Sequence, residues 1–176
     1  MNRIISKQWI MLILLAALVL SGCGGSDITT GNGTPAIAPV VGAQAPDFTV
    51  STLDGEMVKL NKLRGQPVIL NFWATSCAWC RYQMPFLQAA FEEKGHGMEF
   101  IAINIGENIG KVQQYAEGEG LSLTVAVDRD RAVTNSYRVG PIPATFFIDE
   151  HGIIEYVRIG AFQSQAALMA VLEDTY

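Results

Sequence analysis

The sequence predicts an α/β domain built around a mixed central sheet, and three features of the pattern support this prediction. Strand candidates alternate with helix candidates, which is typical of strands joined by helical crossovers. One strand candidate, 67–73, is apolar almost throughout, as expected for a strand covered on both faces. Near the C-terminus, strand candidates 144–149 and 153–159 are separated only by a His151-Gly152 turn, which favours an antiparallel pair.

The predicted elements follow in order along the chain. Two short strands flank the turn Leu53-Asp54-Gly55, because glycine and aspartate favour a tight reversal between apolar segments. A helix that begins at the cysteine pair extends to about Lys94, and Gly118 ends the next one. The strands are expected at 48–51, 57–60, 67–73, 98–105, 124–127, 144–149 and 153–159, and the later helices at 108–117, 129–137 and 164–173.

The motif Cys77-Ala78-Trp79-Cys80 follows the apolar strand candidate and begins the first predicted helix. Two thiols at this spacing form a reversible redox pair. The unpaired amides and the dipole at a helix N-terminus favour the thiolate form, so we expect Cys77 to attack and Cys80 to resolve. This chemistry needs no cofactor beyond the Cys77–Cys80 disulfide, and Ala78 and Trp79 between the cysteines tune its potential.

Other uses of a cysteine pair agree less well with the sequence. A structural disulfide across so few residues would constrain little of the unfolded chain. A closed metal site needs four ligands, and only His96 and His151 remain as further soft donors, so no metal is predicted. A haem-attachment motif would need histidine where Arg81 stands.

The N-terminus has the pattern of an export signal. Arg3 and Lys7 precede the apolar run 9–20, which is shorter than the roughly 20 residues of a bilayer span. Leu20-Ser21-Gly22-Cys23 resembles the bacterial lipoprotein cleavage box, in which the cysteine is lipidated and becomes the mature N-terminus. The alternative is an uncleaved anchor helix. Both predict an exported protein, held at the membrane and facing the periplasm or the extracytoplasmic side.

Composition defines the remaining organisation. Glycine, serine, threonine, asparagine and proline dominate the next segment, so we expect a signal peptide at 1–22, a lipidated cysteine and flexible tether at 23–43, and the folded domain at 44–176. Arg3 and Lys7 are the only charged residues of the signal peptide, so its loss changes 12 basic and 17 acidic residues to 10 and 17, a net charge of −7. No basic patch favours nucleic acid as a partner.

Several motifs together resemble the TlpA/ResA-type membrane-anchored thioredoxin-like proteins, in their order and spacing over residues 42–176. These motifs are Ala45-Pro46-Asp47-Phe48, Leu53-Asp54-Gly55, Leu63-Arg64-Gly65-Gln66-Pro67-Val68, Asn71-Phe72-Trp73-Ala74-Thr75-Ser76-Cys77 and Pro143-Ala144-Thr145-Phe146-Phe147-Ile148-Asp149. The resemblance implies a thioredoxin fold with an added N-terminal β-hairpin and an inserted helical segment at about 106–123. It also implies a reductant of protein disulfides outside the cytoplasm, for example in apocytochrome c maturation, recharged by a membrane thiol electron transporter.

The resemblance extends to residues that shape the site. Pro143 corresponds to the cis-proline that faces the redox pair, and it would leave the Ile142 backbone beside Cys77 to pair with an extended substrate strand. We expect Trp73 to line the site from beneath its loop. For Trp79 a docking surface and local packing remain open.

Two positions depart from the family pattern. Gln83 stands where many members have glutamate, and Asn71 stands where the thioredoxin strand carries aspartate. A carboxylate at either position would accept a proton from the Cys80 thiol and disfavour a neighbouring thiolate. We therefore expect Asn71 and Gln83 to simplify the titration of the thiols, and Glu107 in the insertion is the first candidate if another acid serves them.

Three alternative functions remain for this pair of thiols. A thiol oxidant differs from a reductant only in the direction of electron flow. A peroxiredoxin-like peroxidase also begins with Ala-Pro-Asp-Phe, but its pattern needs a proline before the reactive cysteine, and none lies between Pro67 and Cys77. A lipoprotein that carries Cu(I) would use the thiols as soft ligands without turnover.

Overall fold

The computed structural model describes residues 35–176, in which seven β-strands form one mixed sheet. The sheet has the order β2-β1-β5-β4-β3-β6-β7, with β3, β4 and β5 parallel and the remaining pairs antiparallel. The strands are β1 Thr49–Thr52, β2 Met57–Lys59, β3 Val68–Trp73, β4 Glu99–Ile105, β5 Thr124–Asp128, β6 Ala144–Ile148 and β7 Ile154–Ile159. The predicted mixed sheet is confirmed, and so is the N-terminal hairpin formed by β1 and β2.

Four α-helices and one short 3₁₀ turn, Leu60–Leu63, accompany the sheet within these residues. Side chains cap three of the helices, because each accepts a hydrogen bond from an otherwise unpaired amide of the first turn: Cys77, Asn108 and Ser164. The helices are α1 Ala78–Lys94, α2 Ile109–Gly118, α3 Ala132–Ser136 and α4 Gln165–Thr175. Helix α2 lies between β4 and β5, inside the insertion predicted at 106–123.

Helix α3 is shorter than the predicted 129–137. The Asp128 carboxylate accepts hydrogen bonds from the backbone amides of Val133 and Thr134, at 3.2 and 2.7 Å. Arg131 adopts a left-handed conformation with φ 61° immediately before the helix. Because that conformation cannot continue an α-helix, α3 begins only at Ala132.

The central strand β3 is buried on both faces. Its residues alternate between two apolar clusters: Val68, Leu70 and Phe72 contribute to one, and Ile69 and Trp73 to the other. Helix α3 covers the first face, while α1, α2 and α4 cover the second. Burial on both sides fixes the C-terminal end of β3, from which the chain continues to the cysteine pair.

The folded domain begins earlier than predicted. Gly42 donates to the carbonyl of Ile154 at 2.8 Å, Ile154 donates back to Ala43 at 3.0 Å, and Ala43 is buried. Residues 35–43 therefore belong to the compact unit 35–176, which begins nine residues before the expected boundary at 44. The small and polar residues of the preceding stretch suggested a tether that continued to residue 43, but backbone hydrogen bonds of Gly42 and Ala43 to Ile154 attach the end of this segment to β7.

The predictions for the N-terminus concern residues outside the described range. The signal peptide, the lipidation of Cys23 and the tether up to residue 34 all lie in the part of the chain that precedes them. Among residues 35–176, no helix has the length and apolar character needed to cross a bilayer.

Candidate active site

The two cysteines form a disulfide at the N-terminus of α1, with their Cα atoms 5.2 Å apart. Cys77 is the N-cap residue, and its Sγ accepts a hydrogen bond from the backbone amide of Cys80 at 3.1 Å. Cys80 is fully buried, whereas Cys77 is partly exposed. The accessible sulfur is therefore that of Cys77, as the predicted polarity of the pair requires, and an amide that points at it would stabilise its thiolate.

A cis-proline faces the pair, as the sequence predicted. The Ile142–Pro143 peptide bond is cis, and the carbonyl oxygen of Ile142 lies 3.8 Å from the Sγ of Cys77. Pro143 is buried and immediately precedes β6, whose pairing with β3 fixes its position. Two segments remote in sequence therefore meet at the reactive sulfur.

A groove of about 250 Å³ lies beside the cysteines on the cis-proline side. Trp79 and the Ile142–Pro143 segment form one part of its wall, and Arg158 and Gln163 line another. Trp79 has 60% of its surface exposed, and Ala78 is exposed at the first position of α1. A larger hollow of about 510 Å³ lies between β1 and the start of α3, and it is lined by no residue of the Cys77–Cys80 motif or of the cis-proline segment. The smaller groove is the candidate substrate site because it is lined by Ile142, whose carbonyl oxygen lies 3.8 Å from the Sγ of Cys77.

Trp73 lies beneath the site rather than on its surface. It is fully buried, belongs to the same apolar cluster as Cys80, and its ring packs at 5.1 Å from that of Tyr115. It can therefore shape the site only by supporting the loop that carries Cys77. Its indole nitrogen has no hydrogen-bond partner among residues 35–176.

The two neutral amides are buried on the same side of the sheet. The Asn71 Nδ2 donates to the Thr145 hydroxyl at 2.9 Å, and its Oδ1 has no partner among the described residues. The Gln83 Oε1 accepts from the backbone amide of Phe162 at 3.1 Å, and its Nε2 is likewise without a partner there. Gln83 thus ties α1 to the segment that precedes α4.

Glu107 is a fixed carboxylate that holds the loop before Cys77. It accepts hydrogen bonds from the Thr75 amide at 2.6 Å and the Thr75 hydroxyl at 2.8 Å, and from the side chains of Asn104 and Lys111 at 2.7 and 2.6 Å. Burial raises the pKa of Glu107, but the hydrogen bonds from Asn104, Lys111 and Thr75 outweigh it and lower the pKa to about 2. The Glu107 side chain is therefore a carboxylate anion, and in that form it holds Thr75 in position.

Sequence reasoning missed Thr75 and Arg158 as residues of the site. Thr75 lies two positions before Cys77, but its partner Glu107 is 32 residues away. Arg158 lines the groove because the pairing of β6 with β7 places it beside the cis-proline segment. No local spacing signal distinguishes either residue.

Within the described part of the chain, no group of three or more histidine, cysteine, aspartate or glutamate residues could hold a metal ion.

The site has one accessible and one buried cysteine at the start of a helix, next to a thioredoxin-type sheet and opposite a cis-proline. These features define a thiol-disulfide oxidoreductase. A solved structure of a putative thiol:disulfide interchange protein DsbE from Chlorobium tepidum is similar, with a TM-score of 0.72, 27% identity, and coverage of 77% of this chain and 97% of that one. A secreted Mycobacterium tuberculosis disulfide oxidoreductase is also similar, with a TM-score of 0.67, 26% identity, and coverage of 72% and 95%.

The chain belongs to the AhpC/TSA family, whose model matches residues 41–157, and within it to the ResA thiol-disulfide oxidoreductases. It is 37% identical over 165 residues to thiol-disulfide oxidoreductase ResA of Geobacillus kaustophilus, with 93% of this chain and 91% of that protein covered. It is 34% identical over 120 residues to ResA of Bacillus subtilis, with 68% and 67% covered. The family predicted from the motifs is confirmed.

Proposed function

We propose that this protein reduces disulfide bonds of other proteins outside the cytoplasm. The observation that carries the proposal is the contrast between the two sulfurs: Cys77 is accessible at the tip of a helix, and Cys80 is buried behind it. A pair built in this way can attack a bond in another protein with one thiol and complete the exchange with the other. The resemblance to ResA and DsbE proteins supports the same reaction.

The reaction begins from the reduced protein. The Cys77 thiolate attacks one sulfur of a substrate disulfide, forming a mixed disulfide and releasing the other substrate sulfur as a thiolate that takes up a proton. The Cys80 thiol loses its proton and attacks the Cys77 sulfur, which releases the second substrate thiol. Two electrons have passed to the substrate, and the Cys77–Cys80 disulfide seen in the structure is the oxidised product.

Two neutral amides, Asn71 and Gln83, stand at the positions where the family resemblance would place carboxylates. With Asn71 and Gln83 in place of the carboxylates of related proteins, no ionisable group at either position accepts the Cys80 proton. Glu107 does not replace them, because its hydrogen bonds keep it an anion committed to Thr75. The proposed path for this proton therefore passes through water.

The cycle needs an external dithiol to restore the reduced pair. We propose a membrane thiol electron transporter as its source, a lipid on Cys23 as the anchor, and exposed cysteine pairs such as those of apocytochrome c as substrates. These assignments rest on the resemblance of the motifs and of the N-terminal sequence.

The test combines a redox equilibrium with trapping of the intermediate. Equilibration of the protein with glutathione and with dithiothreitol should place its potential near those of reductants such as thioredoxin, at about −270 mV, and a value near about −120 mV would instead make it an oxidant. Cys80→Ser should accumulate mixed disulfides with substrate proteins, whereas Cys77→Ser should trap none. Equal trapping by both variants would refute the assigned polarity.

Two further measurements separate the alternative functions. Consumption of hydrogen peroxide at a rate above that of disulfide reduction would favour a peroxidase. Tight Cu(I) binding without any reduction of insulin disulfides in the presence of dithiothreitol would favour a carrier.

A further inference from the structure

The groove beside the redox pair contains a positive charge that has no counter-ion within the domain. Arg158 lines the groove together with Trp79 and the Ile142–Pro143 segment. None of the ion pairs formed among residues 35–176 involves Arg158.

The guanidinium is held in place but is only partly satisfied. It lies over the ring of Phe162, with 5.4 Å from its central carbon to the ring centroid, and its Nη2 donates to the carbonyl of Ala161 at 3.3 Å. Its Nε is buried and has no hydrogen-bond partner among the described residues. The buried Nε is not accessible to a ligand, but Nη1 is not buried and makes no hydrogen bond among the described residues, so the guanidinium keeps a donor for a carboxylate in the groove.

Arg158 lies close to Pro143, the cis-proline that faces the redox pair. Its Cα is paired with Thr145 on the neighbouring strand β6, two residues after Pro143. With a rise of about 3.3 Å per residue and about 4.8 Å between strands, its Cα lies roughly 8 Å from that of Pro143. An extended peptide covers that distance in about two to three residues.

Resting on the function proposed above, we infer that Arg158 makes this groove selective for substrates that carry an aspartate or glutamate within about three residues of the cysteine to be reduced. The apolar wall formed by Trp79 and Ile142 accommodates the peptide, and the guanidinium binds the acidic side chain through charge-assisted hydrogen bonds. The selectivity therefore concerns the local sequence around the substrate cysteine.

The test uses symmetric disulfide dimers of a short peptide that contains one cysteine. The peptides place glutamate, glutamine or lysine at each of the positions from one to four residues on either side of that cysteine. Pre-reduced protein, freed of dithiothreitol, is mixed with each dimer, and the rate constant is taken from the peptide thiol released after an acid quench. Symmetric dimers make attack on either sulfur equivalent, and the part of the rate difference that is lost in Arg158→Gln reports recognition by Arg158, because the intrinsic effect of the flanking charge on the disulfide is the same for both proteins.

Wild-type protein should reduce the best glutamate dimer about tenfold faster than its glutamine counterpart, and the ratio should fall with added salt. In Arg158→Gln the ratio of the glutamate rate to the glutamine rate should fall to near one. Arg158→Lys should retain part of the preference for glutamate, because lysine keeps the positive charge but lacks the forked N–H donors of the guanidinium. Arg129→Gln, which removes an exposed arginine beside α3, is the matched control and should keep the wild-type ratio. A ratio within one variant is independent of the fraction of protein that is folded.

Two results would overturn the inference: equal rates for glutamate and glutamine dimers with the wild-type protein, or an unchanged preference in Arg158→Gln. Either could occur while glutamine dimers are still reduced, which would leave the proposed function intact. Failure to reduce any dimer would instead refute the proposed function, and the selectivity with it.

Discussion

Replacing Glu107 by glutamine should destabilise the protein in a pH-dependent way. The carboxylate accepts hydrogen bonds from Thr75, Asn104 and Lys111, and only 14% of its side chain is exposed. A neutral amide in its place presents an NH₂ group to these donors, so at least one of them loses its acceptor. Release of Thr75 should also loosen the loop that places Cys77.

The size of the expected loss of stability in Glu107→Gln follows from the lowered pKa of Glu107. A shift from 4.5 to about 2 corresponds to about 3 kcal/mol, and exposure of the Lys111 end of the cluster reduces this to about 2 kcal/mol. Because the folded pKa lies below the unfolded one, this stabilisation is present above about pH 5 and is lost as the pH falls toward 2. The gap between wild type and Glu107→Gln should therefore narrow by about 1–2 kcal/mol between pH 7 and pH 3.

The assay is urea unfolding of both proteins at pH 7 and pH 3, followed by tryptophan fluorescence. Glu117→Gln, an exposed glutamate at the end of α2, is the control and should change the free energy of unfolding by less than about 0.5 kcal/mol at both pH values. Cys77 in reduced Glu107→Gln should also react with substrate disulfides several-fold more slowly. A stability gap of equal size at pH 7 and pH 3 would refute the reasoning, since it would mean that the charge of Glu107 contributes nothing.

Two further predictions concern the thiols and the N-terminus. Gln83→Glu should move the pH profile of Cys77 alkylation upward, because a buried anion near the pair disfavours a thiolate, whereas Gln165→Glu at the exposed start of α4 should leave it in place. An unmoved profile in Gln83→Glu would show that position 83 does not face the thiols. Cys23→Ala should abolish both lipidation and signal processing, and a mature wild-type protein whose mass includes residues 1–22 and no acyl chains would contradict the lipoprotein assignment.

The features that could be predicted from sequence are those recorded in local patterns. Strand β3 was recognisable because burial on both faces requires an uninterrupted apolar run, and the structure places it at Val68–Trp73. The spacing of Cys77 and Cys80 likewise indicated a helix N-terminus, where the structure finds Cys77 as the cap.

The features that escaped prediction depend on contacts between distant segments or on the backbone alone. The bond from Thr75 to Glu107 and the placement of Arg158 beside Pro143 exist only once the strands are paired. Residues 35–43 attach through main-chain hydrogen bonds, which leave no side-chain signature. The late start of α3 depends on a left-handed Arg131, a conformation that arginine rarely adopts.

The attachment of residues 35–43 to β7 determines where the chain enters the domain relative to its reactive end. Gly42 and Ala43 contact Ile154, the first residue of β7, whereas Gly160, just past its last residue, donates to the carbonyl of Pro143 at 2.8 Å. The point of entry and the cis-proline are thus separated by the length of one strand, about 17 Å. Contacts made at residues 42 and 43 therefore lie about one strand length from the groove beside Pro143.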